Sequence, residues 1–520
     1  MKEEDLGTAI DCTNKGSNQL QKIWNELETI ITKAGKKIIP TKKISRSKRS
    51  ILKDKGHTPS FKDLREVTTI PSIVKKIQKT KDLSLLNEIE KKINRLKKTQ
   101  PLLDFESYYR DLNNIEFSWE EWELSLKENI KAIKEVNLRE EITIKEKEIK
   151  KAILKRCKDL EFNQKRMINS LTNLKKETIT LDRILVKDQN DPHISIEPKE
   201  ILAETRKHYK NAFKTRESNF DLLSEDWKKE YQSSIGVKKE WFRELMEPVT
   251  EEELNTTLKD LPNGKASGVS NIKYEMLKKL GSEAKKALRR FFSLCLDKGT
   301  SPPSWKTSTI FPIPKAKDWE CDLINTRPII LLETSRKLLT KILTNRLSTI
   351  CKNHNILKGP NYAGLPGEST QEPIHVLNNI CEEAREKKKE LWICFQDTAK
   401  AFDTVNLEML QKAMERIKIP KKAIEFIIGL FKNRKLKAIT SYGLTDEIIA
   451  GDGLDQGETI SPLLWRIFYD PLLSKIQNNK GLGYIIETKW QPNLNRPDEK
   501  SIRLRTVATA FMDDTTWIAS

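Results

Sequence analysis

The sequence lacks three features, each of which would have indicated a common class of protein. No run of eighteen or more apolar residues occurs, and the first residues, MKEEDLGTAI, contain no apolar signal-peptide core. The seven cysteines are scattered without a C-x-x-C pair, and the five histidines do not cluster near them. These absences argue against a membrane span, a disulfide framework and a zinc module. They favour an intracellular protein of a reducing compartment.

Acidic residues are also in deficit. The 75 Asp and Glu residues are outnumbered by 95 Lys and Arg residues, which gives a formal net charge of +20 at pH 7. Such an excess suits a polyanionic partner such as nucleic acid. Basic faces that only promote solubility are common too, so the charge alone leaves both interpretations open. The length of 520 residues is sufficient for about two to four domains.

Residues 1–184 are rich in lysine and in helical patterns and poor in glycine. We predict a helix-rich basic N-terminal or linker region there. Residues 138–184 continue a long helical pattern with Glu and Lys at helical spacings, but without clean heptads. A single packed or solvated helix is therefore favoured over a coiled-coil dimer. A basic cluster at 36–49 is either a solvated face or a nucleic-acid or nuclear-import patch.

The stretch LWICFQDTAKAFDTV, residues 391–405, places a carboxylate at the end of a strand. Its first five residues are aromatic and β-branched, and they predict a short strand buried on both faces. Asp397 follows directly. A charge at the end of a buried strand is costly unless it meets a cation, caps a turn or holds a metal ion, and these three alternatives stay open.

The stretch VATAFMDDTTWI, residues 507–518, predicts two short strands joined by a tight turn that carries Asp513 and Asp514. For an isolated Asp-Asp pair, solvated turn chemistry is the simpler explanation. Together with Asp397, however, the pair supplies the hard oxygen ligands that a two-metal Mg²⁺ site requires.

Three motifs in this order resemble the palm motifs of reverse transcriptases of non-LTR (LINE-type) retrotransposons. They are FQDTAKAFDTV, GLDQGETISPLLWRIFYDPLL and FMDD. The resemblance covers residues 185–520 and, weakly, residues 20–60. It implies an α+β right-hand polymerase with fingers and with a palm built on an antiparallel sheet. Because the chain stops at Ser520, shortly after FMDD, we expect the fingers and palm to be incomplete and the thumb to be absent.

The resemblance also implies the roles of the acidic residues. Asp397 and Asp513 correspond to the direct metal ligands, Thr398 to a backbone carbonyl ligand, and Asp514 to a weaker supporting carboxylate. The implied cofactor is a pair of Mg²⁺ ions, with Mn²⁺ as a possible substitute. Asp403 is interpreted as structural.

Five further residues match nucleotide-binding positions of the family. Lys315 and Arg327 correspond to cations beside the triphosphate, although each alone could be an ordinary surface charge. Phe402 corresponds to the aromatic residue that excludes a 2′-hydroxyl, and its alternative is a core aromatic. Gln456 and Gly457 correspond to the loop beside the template and the incoming nucleotide.

The activity implied by the resemblance is RNA-directed DNA synthesis onto a primer 3′-hydroxyl. Its partners would be an RNA template, a DNA primer or target and dNTPs, in a ribonucleoprotein of the cytoplasm and nucleus. Two alternatives remain open. One is an RNA-dependent RNA polymerase, and the other is a catalytically inactive nucleic-acid-binding remnant of such an element.

Overall fold

The computed structural model describes residues 16–38, 59–80, 83–99, 119–171, 179–187, 192–218, 220–315, 319–490 and 500–520. Its helices are α1 Ser17–Ile38, α2 Pro59–Thr80, α3 Leu86–Thr99, α4 Trp119–Phe162, α5 Gln164–Leu171, α6 Pro198–Ala212, α7 Glu225–Glu230, α8 Glu251–Asp260, α9 Tyr274–Lys278, α10 Ser282–Lys298, α11 Thr334–Asn353, α12 Gln371–Lys387, α13 Leu407–Arg416, α14 Lys421–Phe431 and α15 Ser461–Asn478. Its strands are β1 Ile184–Val186, β2 His193–Ser195, β3 Thr307–Pro314, β4 Thr326–Leu331, β5 Trp392–Gln396, β6 Arg434–Thr440, β7 Gly443–Leu444, β8 Ile448–Ala450, β9 Tyr484–Trp490, β10 Lys500–Thr506, β11 Ala508–Phe511 and β12 Asp514–Ala519. This mixture of helices and mainly antiparallel strands is the α+β class that the sequence predicts. Within these described ranges, no helix has an apolar stretch long enough to cross a bilayer.

The chain divides into two compact units. Residues 1–41 and 177–520 form the larger unit, and residues 42–176 form the smaller one. Helix α1 belongs to the larger unit because its Trp24 is fully buried there, 5.7 Å from the ring of Phe291 and 5.5 Å from that of Trp305. The predicted domain boundary after residue 184 stays a prediction. The contacts of Trp24 show that α1, which precedes this boundary in the sequence, packs within the larger unit that contains the residues after it.

The smaller unit is helical, and its core lies between α2, α3 and the first half of α4. Ile70, Ile93 and Ile133 are fully buried in this core. The helix predicted over residues 138–184 is present as the 44-residue α4 followed by the short α5, but the prediction is wrong at its end, because residues 179–183 are not helical and Ile184 begins strand β1. Residues 172–178 and most of the basic cluster at 36–49 lie outside the described residues.

The core of the larger unit is formed mainly by helices. In the sequence, Ser461 and Pro462 followed by the apolar run LLWRIF predict the start of a helix, and helix α15 does begin at Ser461. Its Pro462 occupies the first turn, where a missing backbone N–H costs no hydrogen bond. Buried leucine, isoleucine and aromatic residues then follow along α15, which packs on α13, and they belong to one core with buried residues of α11 and α14.

Two sheets position the candidate site. One has the order β4-β3-β6-β7, with β8 also paired to β6; β3 and β4 are antiparallel, and β3 and β6 are parallel. The other is antiparallel, in the order β11-β12-β5. A separate antiparallel ribbon is formed by β9 and β10.

The prediction that β5 is buried on both faces is wrong. Trp392 is 66% exposed and Phe395 is 76% exposed. Among the described residues β5 pairs only with β12, so it is the edge strand of a three-stranded sheet. An apolar, aromatic sequence is compatible with either environment, and only the sheet order distinguishes them.

Candidate active site

The pairing of β5 with β12 brings the predicted acidic residues to one end of the sheet. Gln396, the last residue of β5, lies opposite Thr515 of β12. The next residues outward are Asp397 on one strand and Asp514 on the other, and Asp513 lies in the turn before β12. The predicted hairpin is therefore confirmed, and its turn faces the end of β5.

Buried side chains hold this turn in place. Met512 has a left-handed backbone with φ 58°, which is uncommon for a residue other than glycine. Its carbonyl oxygen accepts hydrogen bonds from Trp465 Nε1 and Asn361 Nδ2, both at 2.9 Å. These two donors come from elements that are distant in sequence. Together they stabilise the left-handed backbone of Met512, which this residue would rarely adopt without such contacts.

The charges of Asp397 and Asp514 act on the carboxyl group of Asp513. Burial raises the pKa of Asp513 above its usual range, and the nearby charges of Asp514 and Asp397 raise this pKa further. Arg327 opposes these effects by lowering the same pKa. The hydroxyl of Thr398 donates to the backbone carbonyl of Asp513 at 3.4 Å, which joins the two acidic segments directly.

The donor set suits divalent metal ions in its chemistry. Carboxylate oxygens are the hard ligands that Mg²⁺ prefers, and the mutual repulsion that raises the pKa of Asp513 is the repulsion that a bound cation relieves. Across the described parts of the chain, no three acidic, histidine or cysteine side chains form a ready-made metal cluster. The identity of the ligands therefore stays a prediction.

Lys315 and Arg327 lie at neighbouring positions on the other sheet. Lys315 follows β3, and its backbone N–H donates to the carbonyl of Asn325 at 2.9 Å; Arg327 is an exposed residue of β4. Burial lowers the pKa of His208 to about 4, and Lys400 and Lys315 are among the charges that lower it further. Lys315 and Lys400 thus both lie near His208, and Arg327 lies near Asp513.

Lys400 is a candidate that the sequence reasoning did not single out. It is exposed, has a left-handed backbone with φ 54°, and lies in the turn between Asp397 and Phe402. Its charge lowers the pKa of both His208 and Asp403. The sequence did contain a signal for this candidate, because Lys400 lies three residues after Asp397, the carboxylate at the end of the strand.

Phe402 and Gln456 are joined by a short network. Phe402 begins a 3-10 turn, Phe402–Thr404, and its half-buried ring lies 5.8 Å from that of Trp465. The side-chain amide of Gln456 donates to Asp403 Oδ1 at 2.9 Å. The carbonyl of Phe402 accepts from the backbone N–H of Leu454 at 2.7 Å. The two predicted nucleotide-binding segments are thus neighbours.

Gly457 is required by packing between the sheet and this loop. Its φ is 116°, and a Cβ there would lie 3.0 Å from the carbonyl oxygen of Ile330 in β4. The backbone N–H of Ile330 donates to the carbonyl of Gln456 at 2.8 Å. A larger residue at 457 would separate the loop from β4. The predicted approach of a template and nucleotide to Gly457 stays a prediction.

We expect Asp403 to make stability depend on pH. Burial raises its pKa from an ordinary value of 3.8 to about 6, although the hydrogen bond from Gln456 and nearby cations act in the opposite direction. Between these two values the folded protein binds the proton more tightly than the unfolded chain does, so the free energy of unfolding falls as pH rises through 6. The variant Asp403→Asn should therefore be more stable than the parent at pH 7.5, by at most about 3 kcal/mol, and lose this advantage towards pH 4.

Thermal unfolding between pH 4 and 8 measures this effect, with the exposed Asp446→Asn as the matched control. An Asp403→Asn variant that is less stable at pH 7.5 would show that the surrounding cations outweigh burial.

Glu458 lies in a buried ion-pair network that the sequence did not reveal. Although it is two residues from Gln456, its side chain is fully buried and pairs with Arg336 Nε at 2.7 Å. The same guanidinium pairs with Asp455 at 3.0 Å, and Asp455 also pairs with Arg434. This acidic residue therefore points into the core and not towards the candidate active site.

Comparison with known proteins agrees with the geometry. The family model described as "Reverse transcriptase (RNA-dependent DNA polymerase)" matches residues 313–520, which include every predicted site residue. The chain is 30% identical over 212 residues to the Pol polyprotein of the type-1 retrotransposable element R2 of Popillia japonica, an alignment covering 41% of this chain and 29% of the relative. It is 23% identical over 324 residues to the transposon TX1 149 kDa protein of Xenopus laevis, covering 62% and 23%.

A third relative is the probable RNA-directed DNA polymerase from transposon BS of Drosophila melanogaster. It is 26% identical over 262 residues, covering 50% of this chain and 28% of the relative. The chain thus spans less than a third of the length of each of these relatives. Residues 313–520 carry a reverse transcriptase domain of the kind encoded by LINE-type retrotransposons.

Proposed function

We propose that this chain catalyses RNA-directed DNA synthesis. The observation that carries the proposal is the meeting of Asp397, at the end of β5, with the Asp513–Asp514 turn of the neighbouring hairpin. Two strands separated by more than a hundred residues bring these acidic residues to the same end of one sheet, and the charges of Asp397 and Asp514 raise the pKa of Asp513. Carboxylates from such neighbouring segments are the ligands that nucleotidyl transfer by two metal ions requires.

In this proposal, Asp397 and Asp513 hold two Mg²⁺ or Mn²⁺ ions, with the carbonyl of Thr398 and the carboxylate of Asp514 in support. Bound ions of this kind lower the pKa of a primer 3′-hydroxyl and stabilise a pyrophosphate leaving group. Lys315 and Arg327 would bind the triphosphate, and Lys400 would add a third cation beside it. Cations fixed before the reaction stabilise charge that develops in the transition state.

The finer architecture belongs to the same proposal. The sheet containing β3 and β4 would be part of the fingers, and the β11-β12-β5 sheet would be the centre of the palm. The partners would be an RNA template, a DNA primer and dNTPs, within a ribonucleoprotein of the cytoplasm and nucleus. The formal charge of +20 supports a polyanionic partner.

Primer extension tests the proposal. The 520-residue chain is incubated with a DNA primer annealed to an RNA template, Mg²⁺ and either dNTPs or rNTPs. We expect extension with dNTPs that stops when EDTA is added. Extension with rNTPs in preference to dNTPs would support an RNA-dependent RNA polymerase instead. Salt-sensitive binding of the duplex without any extension would support an inactive nucleic-acid-binding remnant.

Phe402 provides a test of the proposed sugar selection. Replacing Phe402 by valine removes the ring that would exclude a 2′-hydroxyl, so the preference for dNTPs over rNTPs should fall by about tenfold or more. The measurement is the ratio of kcat/KM for the two substrates. Phe468→Val is the matched control, because its ring also lies 5.8 Å from that of Trp465 with the same 38° tilt. An unchanged ratio would leave Phe402 as a core aromatic.

A further inference from the structure

A short segment, residues 358–363, pairs with the free edge of the β11-β12-β5 sheet. The backbone N–H of Tyr362 donates to the carbonyl of Ala510 in β11, and the N–H of Ala510 donates to the carbonyl of Pro360, both at 2.8 Å. These two hydrogen bonds form a parallel β-bridge. The segment therefore lies beside β11, at the edge of the sheet opposite to β5.

The side chain of Asn361 joins this segment to the turn of the hairpin. Its Nδ2 donates to the carbonyl of Met512 at 2.9 Å, and its Oδ1 accepts from the backbone N–H of Met512 at 3.3 Å. The same Oδ1 accepts from the N–H of Ala363 at 3.1 Å, which fixes the orientation of the amide. An amide carries both a donor and an acceptor, so this single side chain, only 2% exposed, holds both backbone polar groups of the residue before Asp513.

The segment is itself fixed to α15 on both sides of Asn361. The buried carboxylate of Asp470 accepts from the backbone N–H groups of residues 358 and 359, both at 2.8 Å. The guanidinium of Arg466, also buried, donates to the carbonyl of Ala363 at 2.9 Å. Hydrogen bonds to buried charged groups are among the stronger ones in proteins. Asn361 is therefore supported by the helical core and not by a free loop.

The backbone that Asn361 holds is an unfavourable one. Met512 has a φ of 58°, a value at which a residue other than glycine brings its Cβ close to its own backbone. Asp513 follows directly in the chain, so the direction of its side chain depends on the backbone angles of Met512. If this turn relaxed to a more common conformation, the distance between Asp513 and Asp397 would change.

We propose that Asn361 is a positioning residue of the candidate active site, which fixes the direction of the Asp513 carboxylate for metal binding by holding the backbone of Met512. This role rests on the proposed function, in which Asp513 holds a metal ion. Asn361 acts only through Met512. Groups that orient a metal ligand in this way change metal affinity or activity by about 10–100-fold when they are replaced.

Binding of Mn²⁺ tests the role without any need for activity. Electron paramagnetic resonance measures free Mn²⁺ in the presence of the 520-residue chain and a primer–template duplex. We expect Asn361→Ala and Asn361→Ser each to weaken Mn²⁺ binding by about tenfold, because neither side chain can contact both polar groups of Met512. Asp513→Asn identifies the ions bound at this site. The matched control is Asn379→Ala, at an exposed position of α12, which should leave the affinity unchanged.

The dependence of primer extension on Mg²⁺ separates positioning from a general loss of folded protein. We expect both Asn361 variants to need about tenfold more Mg²⁺ than the parent for half-maximal rate, and excess Mg²⁺ should restore most of the rate. A purely structural role would lower the rate by the same factor at every Mg²⁺ concentration. Binding of the duplex, measured by fluorescence anisotropy, should be unchanged. Circular dichroism should show the same helix content in the variants and the parent.

The two measurements distinguish failure of this role from failure of the proposed function. If the parent extends the primer and neither Asn361 variant shifts the Mg²⁺ requirement, the positioning role is overturned and the polymerase activity stands. If the parent does not extend the primer but both variants still bind Mn²⁺ more weakly, the positioning role stands without the polymerase activity. Equal Mn²⁺ affinity in the parent and both variants, including no binding in any of them, would also overturn the role.

Discussion

Replacing Asp513 by asparagine is expected to abolish primer extension, lowering the rate by about a thousandfold or more. Asparagine has nearly the same shape as aspartate but lacks its charge, so it would hold a divalent ion poorly. An ion of this kind contributes several kcal/mol to stabilising the transition state, and each 1.36 kcal/mol is about tenfold in rate. Asp397→Asn should have a comparable effect, whereas Asp514→Asn should have a smaller one.

Single-turnover extension measures the chemical step directly, and fluorescence anisotropy with labelled primer–template measures binding. The Asp513→Asn variant should bind the duplex as the parent does. It should not be less stable, because burial and the neighbouring carboxylates already disfavour the charge on Asp513. The exposed Asp446→Asn serves as the control for loss of one negative charge. Extension that survives in both Asp513→Asn and Asp397→Asn would refute the assignment of the active site.

The largest effect on stability is expected from Glu458→Ala, at about 3–5 kcal/mol of lost unfolding free energy. The substitution leaves the fully buried guanidinium of Arg336 with one carboxylate fewer, at a place that water cannot reach. It also removes the shorter of the two hydrogen bonds of the Thr340 hydroxyl, which donates to Glu458 Oε1 at 2.6 Å and to the carbonyl of Lys337 at 3.2 Å. Arg336 and Arg434 would then share Asp455 alone, and a buried charge that is not neutralised costs more than an intact pair contributes.

Urea denaturation of the parent, of Glu458→Ala and of four further variants measures these changes in the free energy of unfolding. Glu415→Ala, on the exposed face of α13, is the control and should change stability by less than about 0.5 kcal/mol. The double variant Arg336→Leu with Glu458→Leu should be less destabilised than the sum of its two single substitutions, because both charges are removed together. Additive effects in this double-mutant cycle would mean that the two side chains do not depend on each other.

Several features of this chain follow from short stretches of sequence. The stretch VATAFMDDTTWI predicted the β11–β12 hairpin, and Ser461-Pro462 predicted the start of α15. The order of the acidic motifs was sufficient for the reverse transcriptase resemblance, which the family match over residues 313–520 confirms. These features could be predicted because each depends on residues that are close together in the chain, where backbone geometry and side-chain type decide the conformation.

Other features were decided only by contacts between distant segments. The burial of β5 depends on how many strands lie beside it, and no local pattern contains that information. Glu458 became a core residue because Arg336, from a helix more than a hundred residues away, neutralises it. Gly457 is needed because β4 passes within van der Waals distance, and α1 joins the larger unit because Trp24 fits between Phe291 and Trp305. The sequence by itself determined the long helix α4, the start of α15, the hairpin and the chemical identity of the carboxylates. The tertiary structure decided which charges are buried and which side chains meet, because burial and pairing are properties of the whole packed chain.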